Sequence, residues 1–241
     1  MHKWWKQFKL ENRFIYRNWF FLLAPFAFGA FILLIFAIES PGITNPHLVD
    51  ATNQYLSMMN SYQVMIHTLT LGVIMLLAVL NMRRHYNKTA YAINGAWPVS
   101  QTTILSAIYI AGFLYASIFT VIMSAVFWFL ALFLDVNMTA AANALAFYVL
   151  HYEWSYGVTL ALAMFLAAVI PGRIVYLIAF CGWMFGTFFL DQFIIFRYHL
   201  YFLKTFHLSQ FFMTGIWHSL IQDSVWGLDI IRREIWFSRL F

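Results

Sequence analysis

The sequence predicts an all-α integral membrane protein, a polytopic bundle of five to six transmembrane helices. Three observations predict this fold class. Of the 241 residues, 63% are hydrophobic and only 10% are charged, whereas ordinary soluble domains carry about 25% charged residues. Aromatic residues make up 21% of the chain, which suits lipid-facing helices and interfacial belts. The apolar residues also fall into runs of about twenty or more, the length that crosses a bilayer.

These apolar runs predict the spans of a single transmembrane domain. They cover residues 19–38, 62–82, 104–134, 139–170 and 174–196. Residues 1–17 interleave basic residues with aromatic and aliphatic ones, a pattern that favours an amphipathic helix in the inner interface. A basic flank that only orients the first span fits this segment equally well. Residues 39–59 lack Lys and Arg and predict an outer loop.

The distribution of basic residues predicts the orientation of the bundle. The predicted inner segments contain Lys3, Lys6, Lys9, Arg13, Arg17, Arg83, Arg84, Lys88 and Arg173. The two predicted outer loops contain no basic residue, so the positive-inside rule places the N-terminus in the cytoplasm. Because the basic residues lie at the ends of apolar runs and not on one polar face, a nucleic-acid partner is disfavoured.

Residues 197–241 follow an odd number of spans and therefore fall on the predicted outer side. They contain Arg197, Lys204, Arg232, Arg233 and Arg239. We expect interfacial or re-entrant helices here, buried against protein; a sixth span over 205–231 would return two arginines to the cytoplasm but is polar. The last residues have no polar stop, so we expect a truncated or partly read version of a longer chain.

The polar segment 83–100 separates the second span from the third and carries positive charge without any acidic residue. Its interior, Tyr86–Trp97, is long enough for three helical turns before a proline that breaks the helix. We therefore predict a short helix across the cytoplasmic mouth of the bundle, where a partner docks. The residues expected to couple to this partner are Arg83, Arg84, Tyr86, Lys88, Trp97, Pro98 and Ser100, with Ser100 also capping the next helix.

A mildly polar face on the second span, formed by Gln63, His67 and Thr68, is a candidate lining for a central path. A lone histidine at this depth more often bonds to a neighbouring helix than to a metal or haem iron. A b-type haem would need a second histidine at matching depth, for which His151 or His199 are the candidates.

Charged residues also cluster, by residue counting, near the outer ends of the fourth and fifth spans. They are His151, Glu153, Asp191, Arg197 and His199. These residues form either an outer gate that contacts a polar substrate group or a structural ion-pair network, since charges at this level usually pair.

Small residues predict where helices approach closely. Gly182 and Gly186 form a GxxxG motif in the fifth span, and Gly112 and Ala116 supply small positions in the third. The sequence contains no P-loop, HExxH or CxxC motif, so we expect no metal and no nucleotide site in this chain.

The order of these parts resembles the type-two ABC exporter permeases. The shared features are the basic amphipathic N-terminal helix, a first hairpin, the Arg-rich segment ending in Pro98-Val99-Ser100, and long third and fourth spans. The likeness covers about residues 1–200 as an architecture and Arg83–Ser106 as a motif. The motif departs from the usual family pattern, with His85 for a Glu and Gln101 for an Arg. Gram-positive permeases with a large outer insertion, such as the acetoin-utilisation type, are the most similar.

The resemblance implies a transport subunit, not an enzyme, in the plasma membrane of a bacterium. Separate ABC ATPase subunits would hold ATP and Mg²⁺ and push the coupling helix, and a second permease subunit, identical or paralogous, would complete the path. The expected cargo is a peptide or a lipid-like or other amphiphilic molecule, exported through the bilayer. The alternatives are an integral membrane enzyme that uses His151, Glu153 and Asp191, and a membrane-anchored structural or sensory subunit.

Overall fold

The computed structural model describes residues 2–43, 51–86, 99–134 and 136–184, and every regular element in these ranges is an α-helix. The helices are α1 (His2–Arg17), α2 (Trp19–Ile43), α3 (Ala51–Tyr86), α4 (Gln101–Phe133), α5 (Met138–Val169) and α6 (Ile174–Met184). Four of them, α2 to α5, are long and apolar enough to cross a membrane. The helical fold class is therefore confirmed, and the chain has the character of a membrane-embedded protein.

The predicted amphipathic helix at the N-terminus is confirmed as a helix, α1. Its basic side chains lie on the exposed side, whereas Phe8, Glu11 and Ile15 are buried. The predicted fifth span is helical from Ile174 to Met184, and its remainder, with the whole of 197–241, lies outside the described residues.

The prediction of a long outer loop over residues 39–59 is wrong in its extent. Helix α2 continues to Ile43 and α3 already begins at Ala51. The apolar run 62–82 marks the part of α3 that is long enough to cross a bilayer, but it does not mark where the helix begins. The helix continues beyond the run because residues there also pack against other helices. Within the first turns of α3, Tyr55 and Met59 are fully buried, and the Tyr55 hydroxyl donates to the Phe127 carbonyl of α4 at 3.1 Å.

Polar caps and a tight turn set the helix boundaries at the starts of α4 and α5 and between α5 and α6. Ser100 caps α4 as predicted, because its hydroxyl accepts from the Thr103 N–H at 3.3 Å. Asn137 caps α5 in the same way, accepting from two backbone N–H groups. Between α5 and α6, Gly172 adopts a φ of 72°, a left-handed conformation that glycine adopts without strain.

Helix α3 is the centre of the bundle. Of its most apolar window 72% is buried, compared with 33% for α2. Large apolar side chains on the outer helices are correspondingly exposed, including Trp19 of α2, Val121 of α4 and Phe165 of α5. Such a surface suits lipid and not water.

Glycines allow α4 and α5 to approach closely. A Cβ added at Gly112 would lie 2.9 Å from the Leu160 Cδ1 atom, so the predicted small position at Gly112 is confirmed. The GxxxG prediction stays a prediction, because Gly186 lies outside the described residues. Around Gly182, no atom of the described residues lies within 4 Å of an added Cβ.

We expect Gly112→Leu to lower the free energy of unfolding by about 1–3 kcal/mol, because the new side chain overpacks the α4–α5 contact. Gly182→Leu is the matched control and should cause no loss, since its side chain meets no described neighbour. SDS titration in mixed micelles measures both free energies. Equal stabilities for the two variants would contradict the close contact at Gly112.

Candidate functional site

The buried polar residues of α3 meet aromatic and hydroxyl side chains of α5 near the middle of the bundle. His67 is fully buried and stacks on the Tyr152 ring, with 4.3 Å between centroids. Its Nε2 atom lies 3.4 Å from the Ser155 hydroxyl. The expected hydrogen bonding of His67 to a neighbouring helix is thus seen, and its partners are side chains of α5.

A tyrosine ladder along α5 forms the wall opposite His67. Tyr148, Tyr152 and Tyr156 follow one another at intervals of four residues and stack at 5.9 and 6.2 Å between centroids. This spacing places them on one face of the helix. The ladder and His67 together form what we call the polar seam.

A small cavity lies beside the polar seam, between α3, α4 and α5. Its lining includes His67, Thr120, Tyr148 and Tyr152, and its volume of about 10 Å³ is close to the minimum that a water molecule needs. Among the described residues, the buried Thr120 hydroxyl has no hydrogen-bond partner. In this conformation the seam therefore admits nothing much larger than water.

Of the predicted path-lining group, His67 belongs to the polar seam. The backbone carbonyl of Thr68 accepts from the indole N–H of Trp183 on α6 at 2.7 Å. Gln63 lies one turn before His67 on α3, and its side chain lies outside the described part.

The predicted outer cluster is described only at Glu153, because Asp191, Arg197 and the His151 side chain lie outside the described residues. Glu153 is half-buried and accepts from the Ser117 hydroxyl of α4 at 2.8 Å. Within the described ranges this carboxylate forms no ion pair. The prediction of an outer gate or ion-pair network therefore stays a prediction.

The second candidate site lies at the end of the bundle where Arg83, Arg84, His85 and Arg173 are found, which we call the basic end. Glu11 of α1 is fully buried there and pairs with Arg84 of α3. Its other oxygen lies 2.9 Å from the His85 Nε2 atom and accepts from the Gln7 amide at 2.6 Å. The Arg84 guanidinium also lies over the Phe14 ring, 4.1 Å from its centroid.

Other contacts attach the basic end to the remaining helices. Arg83 donates to the Ile170 carbonyl, at the turn between α5 and α6. The Trp4 indole N–H donates to the Ser106 hydroxyl of α4 at 3.1 Å. These contacts connect helices α1, α3, α4 and α5 to one another. On α3 and α4 they lie within or close to the segment 83–100 that is predicted to couple to a partner.

Of the predicted coupling residues, Arg83, Arg84 and Ser100 are described, and each contacts this chain itself. Tyr86 ends α3 and its side chain lies outside the described residues, as do Lys88, Trp97 and Pro98. Glu11 was missed as a site residue by the sequence reasoning. The available signal was a single acidic residue on the apolar stripe of an otherwise basic helix, since a buried carboxylate requires partners.

The described residues contain no group of three or more His, Cys, Asp or Glu side chains that could hold a metal ion. No protein-family model, curated protein or solved structure matches the chain. Among the described residues, the polar seam shows hydrogen bonding and the basic end shows hydrogen bonding and ion pairing.

We expect Glu11→Ala to lower the free energy of unfolding by about 2–3 kcal/mol, because it leaves Arg84 without its buried carboxylate. Arg84→Ala should also destabilise, and the double variant should lose at least about 1 kcal/mol less than the sum of the two. The measurement is SDS unfolding in mixed micelles.

Arg13→Ala is the matched control, because Arg13 is exposed on the same helix and should change the free energy by less than about 0.5 kcal/mol. Strict additivity of the Glu11 and Arg84 effects would show that the pair contributes no coupling.

Proposed function

We propose that the chain is the transmembrane permease subunit of an ATP-driven ABC transporter that exports an amphiphilic molecule, such as a peptide or a lipid-like compound. The observation that carries the proposal is the pair of contacts at the basic end, Arg84 with Glu11 and Arg83 with the Ile170 carbonyl. They join three helices beside a basic segment that has the sequence pattern of a coupling helix. The resemblance to type-two exporter permeases supports the same function.

These contacts suit a part that receives force. Helix α3 ends at Tyr86 and the Ser100 cap starts α4, so the two helices flank residues 87–98 directly. A displacement of that segment would pass to α1 through Glu11 and to the α5–α6 turn through Arg83. Since packed helices move as rigid bodies, a small shift at this end can tilt the bundle.

The polar seam also supports a transport role, and it lies farther along α3 from the basic end. It collects His67, the α5 tyrosines and the Thr120 hydroxyl inside the bundle, and buried polar residues in membrane helices commonly mark substrate paths. We propose that separation of α3 from α5 opens the seam to one part of the path. A second permease subunit supplies the opposite wall.

The proposed partner holds the nucleotide, because the sequence of this chain has no P-loop. Purification of the tagged chain from its native membranes in mild detergent should therefore recover a P-loop ATPase subunit and ATP hydrolysis. Lys88→Glu should reduce the recovered ATPase at least roughly ten-fold, since reversal of an interface charge costs several kcal/mol. Quantitative mass spectrometry and phosphate release measure both quantities.

Two matched variants complete the experiment. Lys88→Arg keeps the charge and should retain the ATPase. Arg13→Glu makes the same charge reversal at an exposed residue of α1 outside the coupling segment, and it should retain the ATPase as well. An intact wild-type assembly without any ATP-hydrolysing subunit would contradict the proposed function.

A further inference from the structure

An apolar groove runs along the outside of the bundle between α2, α3 and α6. Its volume is about 470 Å³ and its lining is almost entirely apolar, a size typical of small-molecule sites. The α3 wall extends from Leu69 to Val79, and the α6 wall extends from Tyr176 to Trp183. Phe20 and Phe28 of α2 form the third wall.

The side chain of Trp183 closes the groove at the end farthest from Arg173, and two contacts hold it there. The Trp183 indole N–H donates to the Thr68 carbonyl at 2.7 Å. Its ring packs against Gly72, where an added Cβ would lie 2.9 Å from the Cε2 atom. Only glycine leaves room for the indole at this position, so Trp183 is fixed across the groove.

The length of the groove matches one leaflet of a bilayer. Val79 lies ten positions after Leu69 on α3, a rise of about 15 Å at 1.5 Å per residue. In a hydrocarbon core of about 30 Å, each leaflet is about 15 Å deep, which equals the length of the groove. The shape and apolar lining therefore fit an acyl chain that lies along the bundle.

Positive charge marks the open end of the groove. Val79 lies one helical turn before Arg83, and Tyr176 lies one turn after Arg173. Arg83 donates to the Ile170 carbonyl, three residues from Arg173, so both arginines belong to the same edge of the bundle. The Arg173 side chain is exposed and can meet a phosphate group.

We propose that this groove binds an anionic phospholipid from the leaflet at the basic end, with one acyl chain against the exposed Leu76 and Phe180 and the phosphate facing Arg173 and Arg83. The charge at the open end selects an anionic headgroup, and the pinned indole limits the depth of the chain. The site stands whether or not the chain couples to an ATPase.

The test is native mass spectrometry of the full chain. The chain is reconstituted in vesicles of equal amounts of phosphatidylglycerol and phosphatidylcholine, extracted into mild detergent, and released from the micelle in the mass spectrometer. The wild-type chain should retain one phospholipid and prefer phosphatidylglycerol. Leu76→Trp fills the groove and should abolish retention. Leu114→Trp is the matched control, because Leu114 is similarly exposed on α4 outside the groove, and should retain the lipid.

Arg173→Gln tests the headgroup contact with a variant that leaves the apolar packing intact. It should keep one phospholipid but lose about five-fold of the preference for phosphatidylglycerol, the effect expected of one basic residue at a membrane surface. No retained lipid in the wild-type chain, or an unchanged preference in Arg173→Gln, would overturn the proposal.

A photo-reactive diazirine analogue of leucine at position 76, which keeps the size of the Leu76 side chain and leaves the groove open, distinguishes the phospholipid from the chain's own residues 185–241. Cross-linking to phospholipid supports the site. Cross-linking to residues 185–241, with none to phospholipid, overturns the proposed lipid site.

Discussion

The buried carboxylate of Glu11 imposes the main constraint on the basic end of the bundle. An anion without access to water is stable only when cations and hydrogen-bond donors surround it, and Arg84, His85 and Gln7 supply them. Helix α1 therefore cannot lie freely in the interface like an ordinary amphipathic anchor. It is bonded to the last turn of α3, immediately before the segment predicted to receive a partner.

Helix α3 takes part in three features of the structure. Its last turn bonds Glu11, its middle supplies His67 to the polar seam, and the face between Leu69 and Val79 forms a wall of the apolar groove. A shift of this one helix would change all three surroundings together. The polar contacts of α3 go to different helices, including α1 through Glu11, α4 through the Phe127 carbonyl and α5 through Ser155. A movement of α3 therefore has to move these helices with it or break the contacts.

The sequence predicted the parts of the fold that depend on local physics. Apolar runs predicted the four helices that are long and apolar enough to cross a membrane. Ser100 was recognised as a cap and Gly112 as a close contact, because each follows from one residue type. The full length of α3 was not predictable, since its first turns are held by the distant carbonyl of Phe127. The partners of Glu11 and His67 were missed for the same reason. They lie on helices far away in sequence, and no local pattern encodes that pairing.

We propose that the basic end faces the cytoplasm, where an ATPase can reach it. Lys88→Cys in a Cys181→Ser background tests this directly with a membrane-impermeant maleimide, and Asp50→Cys marks the opposite side. Position 88 should react in inverted vesicles and stay unlabelled in right-side-out vesicles, with the reverse for position 50. Labelling of position 88 from the exterior would contradict the orientation and with it the proposed transfer of force.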